Sequence, residues 1–196
     1  MRWQFLLALL GILLLASILG YSTFNVSTVL IPDRGGIYRE GVAGNPQYFN
    51  PMLCNTSDVD MDLCALLFRG LTRIDKNGQV VPDLAGEWTV TDDTIYTFRL
   101  QEGQFWHDGV PVTADDVLFT FGILQDPELF NLPGLTGLWR SVNIEKLDDY
   151  AVRFTLSEPF TPFLDYTSMG LLPAHIWRDV PASDLVSQPL RQSIIG

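Results

Sequence analysis

Basic residues are scarce in this chain, and histidine and cysteine are scarcer. Twelve Lys and Arg stand against 23 Asp and Glu, a formal charge of -11, and nowhere do the cations cluster. That balance argues against nucleic acid as a partner, because no surface patch is set to neutralise a phosphate backbone. No G-x-S-x-G nucleophile turn and no phosphate-cradling glycine loop occurs either.

Charge is missing altogether from residues 3–32, and Trp3 to Leu19 is apolar apart from Gln4, Gly11 and Ser17. Apolar residues on every face, instead of along one stripe, mark a membrane-directed segment and not a core helix. Arg2 and the amino terminus precede it, so the basic end is expected in the cytoplasm and everything after Tyr21 outside. The length falls between a long signal core and a short span. No small-x-small cleavage site follows, and Tyr21 stands where a lipid-bearing Cys would be needed. Residues 1–21 are read as a signal peptide or transmembrane anchor, the retained anchor being preferred, with residues 3–21 in the lipid bilayer. Residues 22–34 are read as a spacer.

Cys54 and Cys64 are the two cysteines, and both fall on the exported side, where disulfides persist. A bridge between them is the expectation, with two free buried thiols as the alternative. A metal pair is disfavoured because no His lies near and two thiols make a poor tetrahedral site.

The remaining sequence has ample material for a core, 47% hydrophobic and 12% aromatic. Gly36–Gly41 reads as a first strand, and Val42–Thr56 as a loop rich in Gly, Pro and Asn. Ser57 with Asp60 caps a helix carrying Val59, Leu63, Leu66 and Leu67 as far as Gly70. Asn77-Gly78 signals a tight hairpin between 71–75 and 79–81. A second hairpin joins 87–90 to 95–100, with Tyr96, Phe98 and Leu100 facing inward. Thr113 with Asp116 opens another helix, and Val142–Leu147 pairs with Ala151–Leu156. Strands that come as hairpins predict an α+β (mixed α/β) fold of about seven strands and four or five helices with antiparallel or mixed sheets.

Candidate chemical groups have plainer readings. Trp106-His107-Asp108-Gly109 offers a His beside an Asp, yet Asp-Gly after a strand is turn chemistry and a lone His lacks further metal ligands. Asp92-Asp93, Asp115-Asp116 and Asp148-Asp149 sit at turns or helix starts, where carboxylates accept from free N–H groups. His175 stands beside Pro173 at a helix start. No catalytic residue, metal site or cofactor is assigned.

Several blocks then follow in one order: Asn50-Pro51, Phe68-Arg69-Gly70-Leu71, Pro82-Asp83-Leu84-Ala85 with Trp88, Phe105-Trp106-His107-Asp108-Gly109, and Thr113-Ala114-Asp115-Asp116-Val117. This order resembles the first lobe of the extracytoplasmic solute-binding proteins of family 5, the substrate-binding components of peptide and nickel ABC importers. The resemblance covers 35–196 and implies the first lobe of a two-lobed, class II periplasmic-binding-protein-like fold. Because such proteins are longer and carry a second lobe, it also implies a truncated chain. The implied function is non-enzymatic: capture of an oligopeptide or related small solute on the extracytoplasmic face of the cytoplasmic membrane, and delivery to ABC permease subunits. Ligand-facing residues are expected in three loops, at Asn45, Gln47 and Tyr48, at Trp139, and at Thr167 and Ser168. An exported hydrolase of glycans or peptides, or a non-transport surface or chaperone-like domain of the same fold, is the alternative.

Overall fold

A computed structural model describes residues 2–27, 39–47, 49–127 and 133–187. The chain divides into two compact units, Met1–Gly41 and Val42–Gly196. In the first unit, α1 (Arg2–Ser27) continues through residues 22–27, which the sequence assigned to the spacer. Leu9, Leu10, Ile12, Leu13, Leu14 and Leu15 are all exposed, so consecutive apolar side chains cover every side of it. Among the described residues no helix is long and apolar enough to cross a membrane. Three residues of the apolar run, Phe5, Leu6 and Ala8, have side chains outside the described set. The expected strand at 36–41 lies outside the described residues up to 38, and Arg39–Gly41 is not in a strand.

The second unit is built on an antiparallel sheet in the order β3-β4-β6-β5, from β3 (Ala85–Thr91), β4 (Ile95–Leu100), β5 (Asn143–Asp148) and β6 (Ala151–Thr155). A separate two-stranded ribbon pairs β1 (Thr72–Ile74) with β2 (Val80–Pro82). Both tight turns follow from local chemistry. Gly78 has φ 77°, and the Asp75 carboxylate accepts from the N–H groups of Gln79 and Asn77 at 2.9 and 2.8 Å. These bonds, the one from Gln79 first, hold the Asp75 carboxyl below its ordinary value of 3.8. Asp92 and Asp93 take φ 53° and 56° in the three-residue connection between Thr91 and Ile95, a left-handed pair that turns the chain in the same sense as the twist of its strands.

Period-2 alternation decides the faces of the sheet. Tyr96, Phe98 and Leu100 of β4 and Val152 and Phe154 of β6 are buried, and register pairs Phe98 with Val152 and Tyr96 with Phe154. On the other face Arg99 pairs with Asp148 and Arg153 with Glu145, all four side chains well exposed. Solvent and salt screen such exposed pairs, so they mark the wet face without holding it.

α3 (Ala114–Gln125) covers the apolar face. Thr113 and Asp116 form a reciprocal capping box at its start, which satisfies two of the N–H groups a helix leaves free. Val117, Phe121 and Leu124 point inward at helical spacing, all fully buried. Phe121 stands edge-on to Phe154 at 5.3 Å, and Phe154 edge-on to Phe98 at 5.5 Å. Burying one such ring is worth about 1.5–3 kcal/mol, so this cluster outweighs every surface ion pair present.

The structure has six strands, and six α-helices follow α1, among the described residues. The helices exceed the sequence expectation because α4 (Pro133–Trp139), α5 (Phe163–Tyr166), α6 (Ala174–Trp177) and α7 (Ala182–Ser187) are one or two turns each. A single turn lacks the repeat that reveals amphipathic periodicity, and proline at 133, 162, 173 and 181 divides the chain between them.

Candidate functional site

Three segments distant in sequence meet at one side of the second unit: the loop 42–53, residues 68–72 at the entry to β1, and residues 167–172 that follow α5. Their meeting depends on two glycines. A Cβ at Gly70 would stand 2.6 Å from the backbone carbon and oxygen of Ser168, and one at Gly170 would stand 2.5 Å from Cβ of Phe68 and 3.1 Å from Cβ of Pro51. Neither clash involves a flexible side-chain tip, so only glycine lets these backbones approach.

Hydrogen bonds fix the pairing. Thr72 donates its N–H to the Thr167 carbonyl at 3.3 Å, and Leu171 donates to the Arg69 carbonyl at 2.9 Å. The Thr72 and Thr167 hydroxyls stand 2.9 Å apart and are buried. Arg69 turns outward and binds the Asp83 carboxylate at 2.5 Å and Gln104 at 2.9 Å.

The loop 42–53 is held from below. α2 (Asp58–Leu67) starts at Ser57, whose hydroxyl accepts the Asp60 N–H at 3.2 Å and donates to Asp60 Oδ2 at 2.8 Å. The other carboxylate oxygen, Oδ1, accepts the backbone N–H of Gln47 at 2.8 Å. Asp60 is fully buried. Further along, Asn50 is also fully buried; its Nδ2 donates to the Leu185 carbonyl of α7 at 2.6 Å, and its Oδ1 accepts the Met52 N–H at 3.0 Å. A disulfide joins Cys54, in a short 3-10 turn, to Cys64 inside α2, with their Cα atoms 6.2 Å apart.

The expected ligand-facing residues separate into distinct places. Asn45 and Gln47 have exposed side chains on the loop, with Gln47 Nε2 reaching the Asn45 carbonyl at 3.5 Å. Ser168 is half-buried beside Gly70, its hydroxyl donating to the Asp165 carbonyl at 2.6 Å. Tyr48 lies outside the described residues. Trp139 and Thr167 require correction. Trp139 is fully buried between Phe121 at 4.2 Å and Phe163 at 5.7 Å, and Thr167 is buried against Thr72. Neither side chain reaches a surface a ligand could touch.

Asp108, Asp115, Asp116, Asp148, Asp149 and His175 have structural partners. Asp116 accepts from Thr113 N–H, Ala174 N–H and Trp106 Nε1–H at 2.9, 2.8 and 3.3 Å. Asp115 and Asp149 both bind Lys146, and Asp148 binds Arg99. Asp108 meets His175 of α6 at 2.7 Å. That contact, followed by the Val110 N–H, holds the Asp108 carboxyl below its ordinary value of 3.8. Among the described residues no three His, Cys, Asp or Glu gather as metal ligands.

Sequence reasoning missed Asn50, Gly70 and Gly170 as builders of this surface, and took Asp60 for a capping partner alone. Capping spacing is legible over three residues, but the Gln47 contact spans 13 and the Leu185 contact 135.

Known proteins are similar to this chain in sequence and in fold. Residues 79–188, more than half of the chain, match the family model described as Bacterial extracellular solute-binding proteins, family 5 Middle. The oligopeptide-binding protein AppA of Bacillus subtilis (strain 168) is 34% identical over 158 residues, covering 79% of this chain and 28% of that protein. The dipeptide-binding protein of Escherichia coli (strain K12) is 36% identical over 143 residues, covering 62% of this chain and 26% of its own length. The crystal structure of NikZ from Campylobacter jejuni in complex with Ni(L-His) superposes with a TM-score of 0.65 at 31% identity, over 80% of this chain and 30% of NikZ. The structure of AppA from Bacillus subtilis in complex with a nonapeptide gives 0.66 at 29% identity, over 75% of this chain and 29% of AppA. The chain spans less than a third of the length of each of these relatives.

Proposed function

The chain belongs to the bacterial extracellular solute-binding proteins of family 5, and from that premise we propose that it forms one wall of the ligand cleft in the substrate-binding component of an ABC importer. The solute is an oligopeptide or a related small molecule, captured outside the cytoplasmic membrane and handed to the permease. The observation that carries this reading is the match over 79–188 together with relatives named for oligopeptide and dipeptide binding. The protein acts by binding and does not turn its solute over.

Residues 35–196 make up the first lobe in this reading. Asn45, Gln47 and Ser168 face the ligand, and the sequence pattern assigns Tyr48 the same role. Their amide and hydroxyl groups suit an extended peptide, whose main chain presents a donor and an acceptor at every residue. A second lobe closing on the same solute would give the permease two surfaces to distinguish, and the ligand shifts the balance between them by its preference for the closed state.

Residues 1–21 act as a retained membrane anchor. Support comes from the uncharged sequence 3–32 behind Arg2 and from the apolar residues on all sides of α1. Retention of the protein in a carbonate-washed membrane fraction supports the anchor; full release into the wash, with the amino terminus intact, rejects it.

The test of function is native mass spectrometry of the protein purified as it occurs in the cell, followed by denaturation and identification of released molecules. Retained peptides are expected, exchanging with added peptide and recovered unchanged. Turnover of a peptide or glycan by the purified protein would overturn the proposal.

A further inference from the structure

The candidate ligand wall is mostly loop, and a loop orders a ligand only if something else orders the loop. α2 does so at three heights. In its first turn the Val59 side chain lies under Gly44, where an added Cβ would stand 2.7 Å from Val59 Cγ2. One residue on, Asp60 Oδ1 holds the Gln47 N–H at 2.8 Å. A turn later, Cys64 is bonded to Cys54.

Of these, Asp60 is the contact nearest the residues that face the solute. Its carboxylate is fully buried, and its two oxygens face different tasks: Oδ1 toward the loop, Oδ2 toward the Ser57 hydroxyl that caps the same helix. A buried carboxylate demands its hydrogen bonds, and a charge-assisted bond to a backbone N–H is about twice as strong as a neutral one. The side chain of Gln47 is left exposed, its Nε2 reaching the Asn45 carbonyl at 3.5 Å, so the tie fixes the main chain without engaging the side-chain amide.

We propose that Asp60 is a positioning residue for the ligand wall: its buried carboxylate sets the main chain at Gln47, and thereby the outward presentation of Asn45 and Gln47. This rests on the ligand-binding reading above, but the tie itself does not depend on which solute is bound. Asp60 never touches the ligand.

The test compares wild type, Asp60→Ala, Asp60→Asn and Ser57→Ala in the full protein. Two readouts are used: hydrogen exchange at the Gln47 amide against amides of β4 and β6, and the affinity for trialanine by calorimetry. In Asp60→Ala the Gln47 amide should exchange faster by roughly tenfold to a hundredfold, as expected for loss of a hydrogen bond to a charged group. Trialanine should bind at least about tenfold more weakly, with β4 and β6 exchange unchanged. Asp60→Asn keeps an oxygen acceptor but loses the charge, so it should shift both readouts in the same direction as Asp60→Ala by a smaller amount, roughly threefold faster exchange at the Gln47 amide. Ser57→Ala, which leaves the Gln47 bond in place, should lower helix stability while sparing the Gln47 amide.

Unchanged exchange at Gln47 in Asp60→Ala overturns the tie. Faster exchange with unaltered trialanine affinity overturns the positioning role. If Asp60→Ala fails to fold, the Asp60→Asn and Ser57→Ala pair decides, since only the first alters the group that accepts from Gln47. Failure of the wild type to bind trialanine counts against the peptide reading, while the exchange arm still decides the tie.

Discussion

Reduction of the Cys54–Cys64 bridge should weaken the protein by an amount that follows from its position. The two residues are ten apart in sequence. Closing a loop of that length in the unfolded chain removes about 9 cal/mol/K, or about 2.7 kcal/mol at 25 °C. Both cysteines are buried, so the two thiols formed on reduction must separate to van der Waals distance within packed surroundings, and any crowding there adds to the loss. A domain is stable by only about 5–15 kcal/mol, so the bridge accounts for a substantial part of the margin.

The first assay is chemical. Iodoacetamide added to the unfolded protein should label no cysteine without reductant and two with it; two labels without reductant would refute the bridge outright. The second is urea unfolding followed by tryptophan fluorescence with and without a phosphine reductant. With a slope of about 1–3 kcal/mol/M, the midpoint should fall by about 1 M or more on reduction. The slope should rise slightly, since the reduced unfolded chain is more expanded. A bridged protein whose midpoint does not move would show that the entropy argument fails here and that the reduced chain keeps the loop closed by other contacts.

Other perturbations separate the causes of stability from those of binding. Gly170→Ala places a Cβ against Phe68 and should cost about 1–3 kcal/mol in thermal unfolding, whereas Gly122→Ala in α3, where nothing lies within 4 Å, should stabilise by up to about 1 kcal/mol; a similar result for both would undo the close-approach reading of Gly170. Trp139→Ala should cost about 3–5 kcal/mol by denaturant titration yet leave the solute affinity of the folded fraction unchanged, and a selective loss of affinity would return Trp139 to the ligand wall. The Asp108 carboxyl is held below 3.8 by His175, so its contribution is complete above that value and is lost as the pH falls through the lower folded value. Asp108→Asn should therefore flatten the acid limb of a stability-against-pH curve; a difference between wild type and variant that stays constant from about pH 5 to 2 would refute this.

What sequence alone reveals is bounded by the distance over which each cause acts. The turns at Asn77-Gly78 and Asp92-Asp93, the Ser57 and Thr113 caps and the alternation of Tyr96, Phe98 and Leu100 depend on neighbours within a few residues, and each is legible. Thr167 and Ser168 show the limit. They are adjacent, similar in chemistry, and expected to act alike, but Thr167 turns in to meet Thr72, 95 residues away, while Ser168 turns toward the surface. Trp139 reads as a loop aromatic until α4 ends on it and Phe121 receives its ring.

The same division of labour accounts for how such a wall can be both stable and adaptable. Its shape depends on buried groups: Asp60 and Asn50 hold backbone donors and acceptors, Gly70 and Gly170 let three segments touch, and the disulfide fastens the loop to α2. Changing any of them leaves a buried polar group unpaired, forces atoms into contact or frees a closed loop, each a recognised source of large destabilisation. Asn45 and Gln47 stand outside that set with exposed side chains, where substitutions usually cost no more than about 0.5 kcal/mol. In the proposed wall, solute preference would change at the exposed positions while the buried ones keep the main chain in place, because the two groups share a backbone but not their side-chain contacts.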